Sequence, residues 1–169
     1  MVIEIGENMK EAQFGKNRIL YFRKLGEATA GAKLALQTEH EWSYERSVDS
    51  MQTKDGAITT GGGLEISLDI SAISTSDELN QMLMDSVIED YALEVWDVHL
   101  DEPGVGENKF KAKYAQGRLD SWSVPSPVED PIELSTTMKI DGKPQDGEVT
   151  VSIADQETIR YAFKDLTAE

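Results

Sequence analysis

Cysteine is absent from this 169-residue chain, which excludes disulfides, thiolate metal sites and thiol catalysis and leaves the core to hold by packing alone. At this length a single domain hides roughly two thirds of its unfolded surface, so no covalent staple is needed. Histidine is scarce: only His40 and His99 occur, each inside a strand-like pattern and without a second ligand at metal spacing. Basic residues are outnumbered, 16 against 32 acidic ones, and the net charge of -16 repels phosphate backbones and anionic lipid. Tight nucleic-acid binding is therefore not expected. Such a charge serves plain solubility, or, in a sharper reading, a surface past which DNA slides without sticking. Long apolar runs are also missing, so no bilayer span is expected. The opening Met1-Val2-Ile3-Glu4-Ile5-Gly6 lacks the basic and apolar regions of a signal peptide. A soluble chain of the cytoplasm is the expectation.

What is present is mostly the period-two signature of strands. Residues 1–16 show no steady period and are expected to form an arm with little structure of its own. Asn17 to Lys24, rich in β-branched and aromatic residues, reads as a strand, and Leu34 to Trp42 as a second, alternating one. From 43 to 63 the chain turns polar and glycine-rich, with Thr53-Lys54-Asp55-Gly56 as a turn signal and Gly61-Gly62-Gly63 as a hinge. A loop of that length is expected to be either functional or disordered. Leu64, Ile66, Leu68, Ile70 and Ala72 alternate with polar residues, giving the cleanest strand in the chain. Thr75-Ser76-Asp77-Glu78 reads as a capping box opening a helix from Ser76 to about Asp90, with Leu79, Met82, Leu83 and Val87 on one stripe.

Further strands are expected at Ala92 to Leu100, Lys109 to Ala115, Leu119 to Val124 and Ile132 to Ile140. Pro125, Pro127 and Pro131 mark an edge or crossing segment, and Asp141-Gly142 and Asp146-Gly147 a tight connection into Val149, Val151 and Ile153. Asp155 would cap a short C-terminal helix carrying Ile159 and Phe163. No repeat or domain boundary is visible. The fold class is mainly β with one flanking helix, a β-sandwich or barrel in a single domain spanning 1–169.

Catalytic signatures are lacking. There is no Gly-x-Ser-x-Gly elbow and no Walker loop, and the triple glycine precedes a strand rather than a helix. Paired acids such as Glu39, Glu41, Glu94 and Asp97 can in principle act as general acid and base, but among 32 acids close pairs arise by chance, and a solvated face is the plainer reading. Glu65 and Asp69 lack the ordered spacing of a calcium loop. Trp42, Trp96 and Trp122 fall in three different strands and read as core anchors. No cofactor, metal or catalytic residue is expected.

Three landmarks stand in order: Leu34-Ala35-Leu36-Gln37-Thr38-Glu39-His40, Thr53-Lys54-Asp55-Gly56, and Leu93-Glu94-Val95-Trp96-Asp97-Val98. In this order and spacing they resemble the major tail protein family of phages with long, non-contractile tails that infect Gram-positive bacteria. The similarity runs from about Gly15 to the last strand, and is weaker over the arm and over Pro125 to Pro131. The resemblance implies a β-sandwich with a flanking helix, assembled as hexameric rings that stack into a tube and later conduct DNA into the host. It implies that the chain's first partner is itself, followed by tape-measure, tail initiator and tail terminator proteins, with DNA passing without tight binding and no membrane contact. It places the chain in the virion tail, and in the host cytoplasm during assembly.

On that footing, residues 43–63 form an inter-ring loop in which Thr53, Lys54, Asp55 and Gly56 make the contacts, and Glu39, Glu41, Glu65 and Asp69 are candidates for the lumen wall. Rival readings are another β-rich virion part, such as a tail terminator or head decoration protein, and a β-sandwich glycoside hydrolase using two acids.

Overall fold

The computed structural model describes residues 12–155, and among them seven strands form one antiparallel sheet. After a 3₁₀ turn at Gly15–Asn17 come β1 (Arg18–Lys24), β2 (Ala32–Lys33), β3 (Gln37–Thr53) and β4 (Gly56–Ile73). Helix α1 (Glu78–Ile88) follows, then β5 (Leu93–Pro103), β6 (Lys109–Leu119) and β7 (Glu133–Thr150). The spatial order is β2-β1-β5-β6-β7-β4-β3.

Both faces of the sheet carry apolar side chains. Alternation along β1 and β5 sends Leu20, Phe22, Leu93 and Val95 to one face and Ile19, Tyr21, Trp96 and Val98 to the other. The first face builds the larger core, joined by Leu68, Ile70, Ala72, Leu134, Met138 and, from α1, Leu79 and Leu83 at helical spacing. β1 and β4 lie far apart in the sheet order yet share this core, so the sheet curls over it in the manner of a barrel. The Gln37 side chain closes the curl. Its Oε1 accepts the Leu20 N–H at 3.0 Å, and its Nε2 donates to the carbonyls of Leu20 (3.0 Å) and Leu34 (2.8 Å), a side chain doing the work of a neighbouring strand.

Several sequence expectations need correction. Residues 43–63 are not a loop: they are most of a long hairpin, paired from Gln37↔Ala72 to Thr53↔Gly56. The triple glycine is not a hinge but part of β4. At Gly62 a Cβ would stand 2.9 Å from the Ser47 Cβ, so glycine is needed where the register shifts between Arg46 and Val48.

The third strand begins at Gln37 rather than Leu34, because Leu36 turns to φ 53°. The helix is capped by Asp77, whose side chain accepts the Asn80 N–H at 2.8 Å, while the Thr75 hydroxyl instead accepts from the Asn80 side chain at 3.0 Å. Leu119 to Val124 is not a separate strand: β6 ends at Leu119, and beyond it only a bridge joins Ser123 to Ser135. The two Asp-Gly pairs do not bound a connection either. β7 runs through them, and the register shift opposite Tyr114 and Gln116 absorbs the extra residues, with Gly142 at φ 64°.

Trp42, Trp96 and Trp122 are half-buried and pack against the cores, but only Trp42 and Trp96 lie in strands, Trp122 standing beyond the end of β6. Residues 1–11 of the arm, and Ile159 and Phe163 of the short C-terminal helix, lie outside the described residues. Asp155 is not in the N-cap position but already lies in a helical turn at 153–155, its N–H donating to Ser152 Oγ at 3.3 Å.

Candidate assembly surfaces

The β3–β4 hairpin divides into two halves. Near its root β4 also pairs with β7, from Ile73↔Glu133 to Ser67↔Lys139. Beyond Ser67, towards the tip, β4 pairs with β3 alone, so residues 44–66 project as a two-stranded ribbon. Trp42 and Tyr44, two residues apart and hence on one face, stack with ring centroids 6.4 Å apart where the ribbon leaves the body. Further out Val48, Met51 and Ile58 are all more than half exposed, and Met51 lies directly opposite Ile58.

Thr53, Lys54, Asp55 and Gly56 form the tip. The Thr53 hydroxyl donates to the Gly56 carbonyl at 2.6 Å and accepts the Asp55 N–H at 3.2 Å, and Gly56 takes φ 121°, a region that side chains rarely enter. Lys54 and Asp55 at the turn are exposed.

The other predicted set comes together as well. Glu41 lies directly opposite Asp69, Glu45 opposite Glu65, and Glu39 opposite Ser71. Alternation puts all of these acids on the face turned away from Trp42 and Leu68, hence away from the larger core. All are exposed. The Thr137 hydroxyl donates to Asp69 at 2.6 Å, and Lys139 stands beside Ser67. The face is thus a continuous acidic band across β3 and β4. Glu45 was missed in the sequence because it fell inside the presumed loop.

Glu94 and Asp97 are not on a solvated face: both are buried. Glu94 accepts from Arg23 Nε at 2.5 Å and from the Tyr114 hydroxyl at 2.6 Å. Burial pushes its pKa up, but these donors outweigh it and hold the carboxyl below its ordinary value. Asp97 Oδ2 accepts from Trp42 Nε1 at 2.8 Å and faces His40 Nε2 at 3.1 Å. Its pKa too is raised by burial and lowered further by His40 and Trp42, with a net downward shift. His99 contacts Glu102 at 2.7 Å. The two histidines thus serve sheet contacts, and among the described residues no group of three or more His, Asp or Glu could hold a metal ion.

Comparison with known proteins gives this geometry its context. The sequence profile of the phage tail tube protein family matches residues 12–146. The chain belongs to the phage tail tube protein family. A chain described as a tail protein in Staphylococcus phage phiMR25 is 30% identical over 166 residues, covering 95% of this chain and 84% of that one. Among solved structures the tail tube protein resembles the SPP1 tail tube, with TM-score 0.71 at 17% identity over 92% of this chain and 95% of that one. It also resembles the tail of an empty gene transfer agent particle refined with C6 symmetry, with TM-score 0.64 at 11% identity over 79% and 98% of the two chains. At such identities the likeness fixes the fold: the mainly β tail tube architecture. Membership makes this tail tube protein a structural component of the virion tail and not an enzyme. No described helix is long and apolar enough to cross a membrane.

Proposed function

We propose that the chain polymerises as hexameric rings that stack into the tail tube, the conduit through which DNA passes to the host. The ribbon carries this reading. A two-stranded hairpin with no third strand is marginal in water, and this one leaves Val48, Met51 and Ile58 uncovered; a neighbouring ring would cover them. The tip residues Thr53, Lys54, Asp55 and Gly56 then make contacts between rings, with the opposite charges of Lys54 and Asp55 fixing register. β3, 17 residues long, is an edge of the sheet, and pairing of such an edge with the next subunit would close the ring. The six-fold symmetry of the gene transfer agent tail supports six subunits per ring.

The band of Glu39, Glu41, Glu65 and Asp69, extended by Glu45, lines the lumen in this reading, where negative potential keeps DNA from sticking. Tape-measure, initiator and terminator proteins are the further partners. The experiment is negative-stain electron microscopy of the protein, concentrated and at raised salt so that self-repulsion is screened, alone and seeded with tail initiator. Long hollow tubes are expected from the parent chain and none from a variant lacking Gln52 to Thr60. Single rings that never stack would point to a terminator, and dispersed particles in both samples would overturn the reading.

A further inference from the structure

β3 passes from the body into the ribbon, and its root is tied at two places. One is the Gln37 amide on β1. The other lies deeper, where His40 and Trp42 reach across the curled sheet to one oxygen of Asp97, at 3.1 and 2.8 Å. β3 and β5 are not neighbours: β6, β7 and β4 lie between them in the sheet. The His40 and Asp97 side chains are 10% and 5% exposed, so the contact is shielded from water. Lys113, opposite Asp97 in the ladder, turns to Asp146 at 3.1 Å instead. Asp97 Oδ1 is buried with no hydrogen-bond donor among the described residues.

A buried carboxylate with one oxygen unsatisfied is a poor device for stability, since apolar side chains of similar volume do as well or better. It is a good device for geometry, because its donors are directional and the alternatives to them are penalised. We propose that Asp97 is a positioning residue for assembly: with His40 and Trp42 it fixes the angle at which the ribbon leaves the body, so that the ribbon meets a second copy of this chain already aimed. This rests on the reading of the ribbon as an inter-ring element. Ordering the ribbon in advance removes a cost otherwise met at every subunit addition.

Two variants separate positioning from stability. Asp97→Asn keeps an acceptor for the Trp42 indole and a polar contact for His40, and is expected to polymerise within about twofold of the parent. The triple variant Asp97→Leu, His40→Leu, Trp42→Phe removes every polar group of the contact. Its subunit is expected to melt at or above the parent temperature, while amide exchange over residues 37–66 rises and tube growth slows about tenfold or more. Tube growth within twofold of the parent would overturn the proposal. Should the triple variant instead melt below the parent, a slowing no greater than that of Val98→Ala, a control that loses stability at a buried site away from the contact, would overturn it as well.

If the triple variant does not fold, Trp42→Phe alone decides. Exchange over residues 37–43 must rise while exchange in β5 stays unchanged, and equal exchange rejects the role of Asp97. Should the variant lacking Gln52 to Thr60 still form tubes, the inter-ring reading fails, and the exchange measurements continue to report whether Asp97 holds the root.

Discussion

One strand, β4, lives in two environments. From Ile66 to Ala72 alternate side chains are buried, with Leu68 and Ala72 at 0% exposure, and β7 pairs along the side away from β3. From Gly56 to Glu65 every residue is exposed, and β3 alone pairs with it. The backbone ladder is the same in both halves; what differs is what the side chains meet. In the body, hydrophobic burial holds the ladder. In the ribbon the ladder is held by its turn and its register, and its apolar side chains are left in water. Burial thus fixes one half of the hairpin, and in the proposed reading the other half serves assembly.

The largest effect that tests this division is a pair of truncations. Leu68→Ala, in the body, is expected to cost about 2–5 kcal/mol of subunit stability through the cavity it leaves. Ile58→Ala, in the ribbon, is expected to change stability by no more than about 0.5 kcal/mol. Chemical denaturation of the unassembled subunit reads both. An Ile58→Ala loss as large as that of Leu68→Ala would mean that the ribbon is packed on the body in solution, and the division would collapse.

Glycines sharpen the contrast at a smaller scale. A Cβ at Gly117 would collide with the carbonyl oxygen of Lys139, between β6 and β7, where paired strands on both sides leave the backbone nowhere to move. Gly117→Ala is expected to cost about 1–3 kcal/mol. At Gly62 the added Cβ meets Ser47 at 2.9 Å, but the ribbon is free on both sides and can open there. Gly62→Ala is expected to cost less than Gly117→Ala in the same denaturation measurement, and equal costs would show the ribbon to be as rigid as the body.

The two halves also differ in how far their sequence betrays them. In the body, alternation of Leu64 to Ala72 and the stripe of Leu79 and Leu83 were sufficient, because burial imposes a period that composition cannot hide. In the ribbon beyond Ile66 nothing is buried, so no period is imposed, and Thr53-Lys54-Asp55-Gly56 was legible as a turn while the strands flanking it were not. Gly61 to Gly63 suggested a break, whereas one of them serves a close crossing between paired strands. Tyr44, Val48 and Met51 in β3, with Ile58 and Thr59 in β4, were the available signal, since β-branched and aromatic residues on both sides of a two-residue turn favour a hairpin.

The acids split in the same way. Glu39, Glu41, Glu65 and Asp69, named as candidates for the lumen wall, are exposed, but the burial of Glu94 and Asp97 depends on partners 71 and 57 residues distant in the chain, Arg23 and His40, which no local pattern reports.

The smallest predicted effect concerns like charges. Glu41 faces Asp69 in the body and Glu45 faces Glu65 at the start of the ribbon, and like charges directly opposite on a sheet repel. Neutralising Glu41→Gln or Glu45→Gln is therefore expected to stabilise the subunit by about 0.2–1 kcal/mol at low salt. The gain should shrink near 0.1 M salt, where screening acts over about 10 Å. Asp69 already holds the Thr137 hydroxyl, which disperses part of its charge, so the gain at Glu41 should be the smaller of the two. In the proposed reading that places these acids in the lumen, a band retained against its own repulsion serves the passage of a polyanion. If neither variant gains stability at low salt, the acids are already too far apart in solution to repel, and the case for a concentrated negative wall weakens with them.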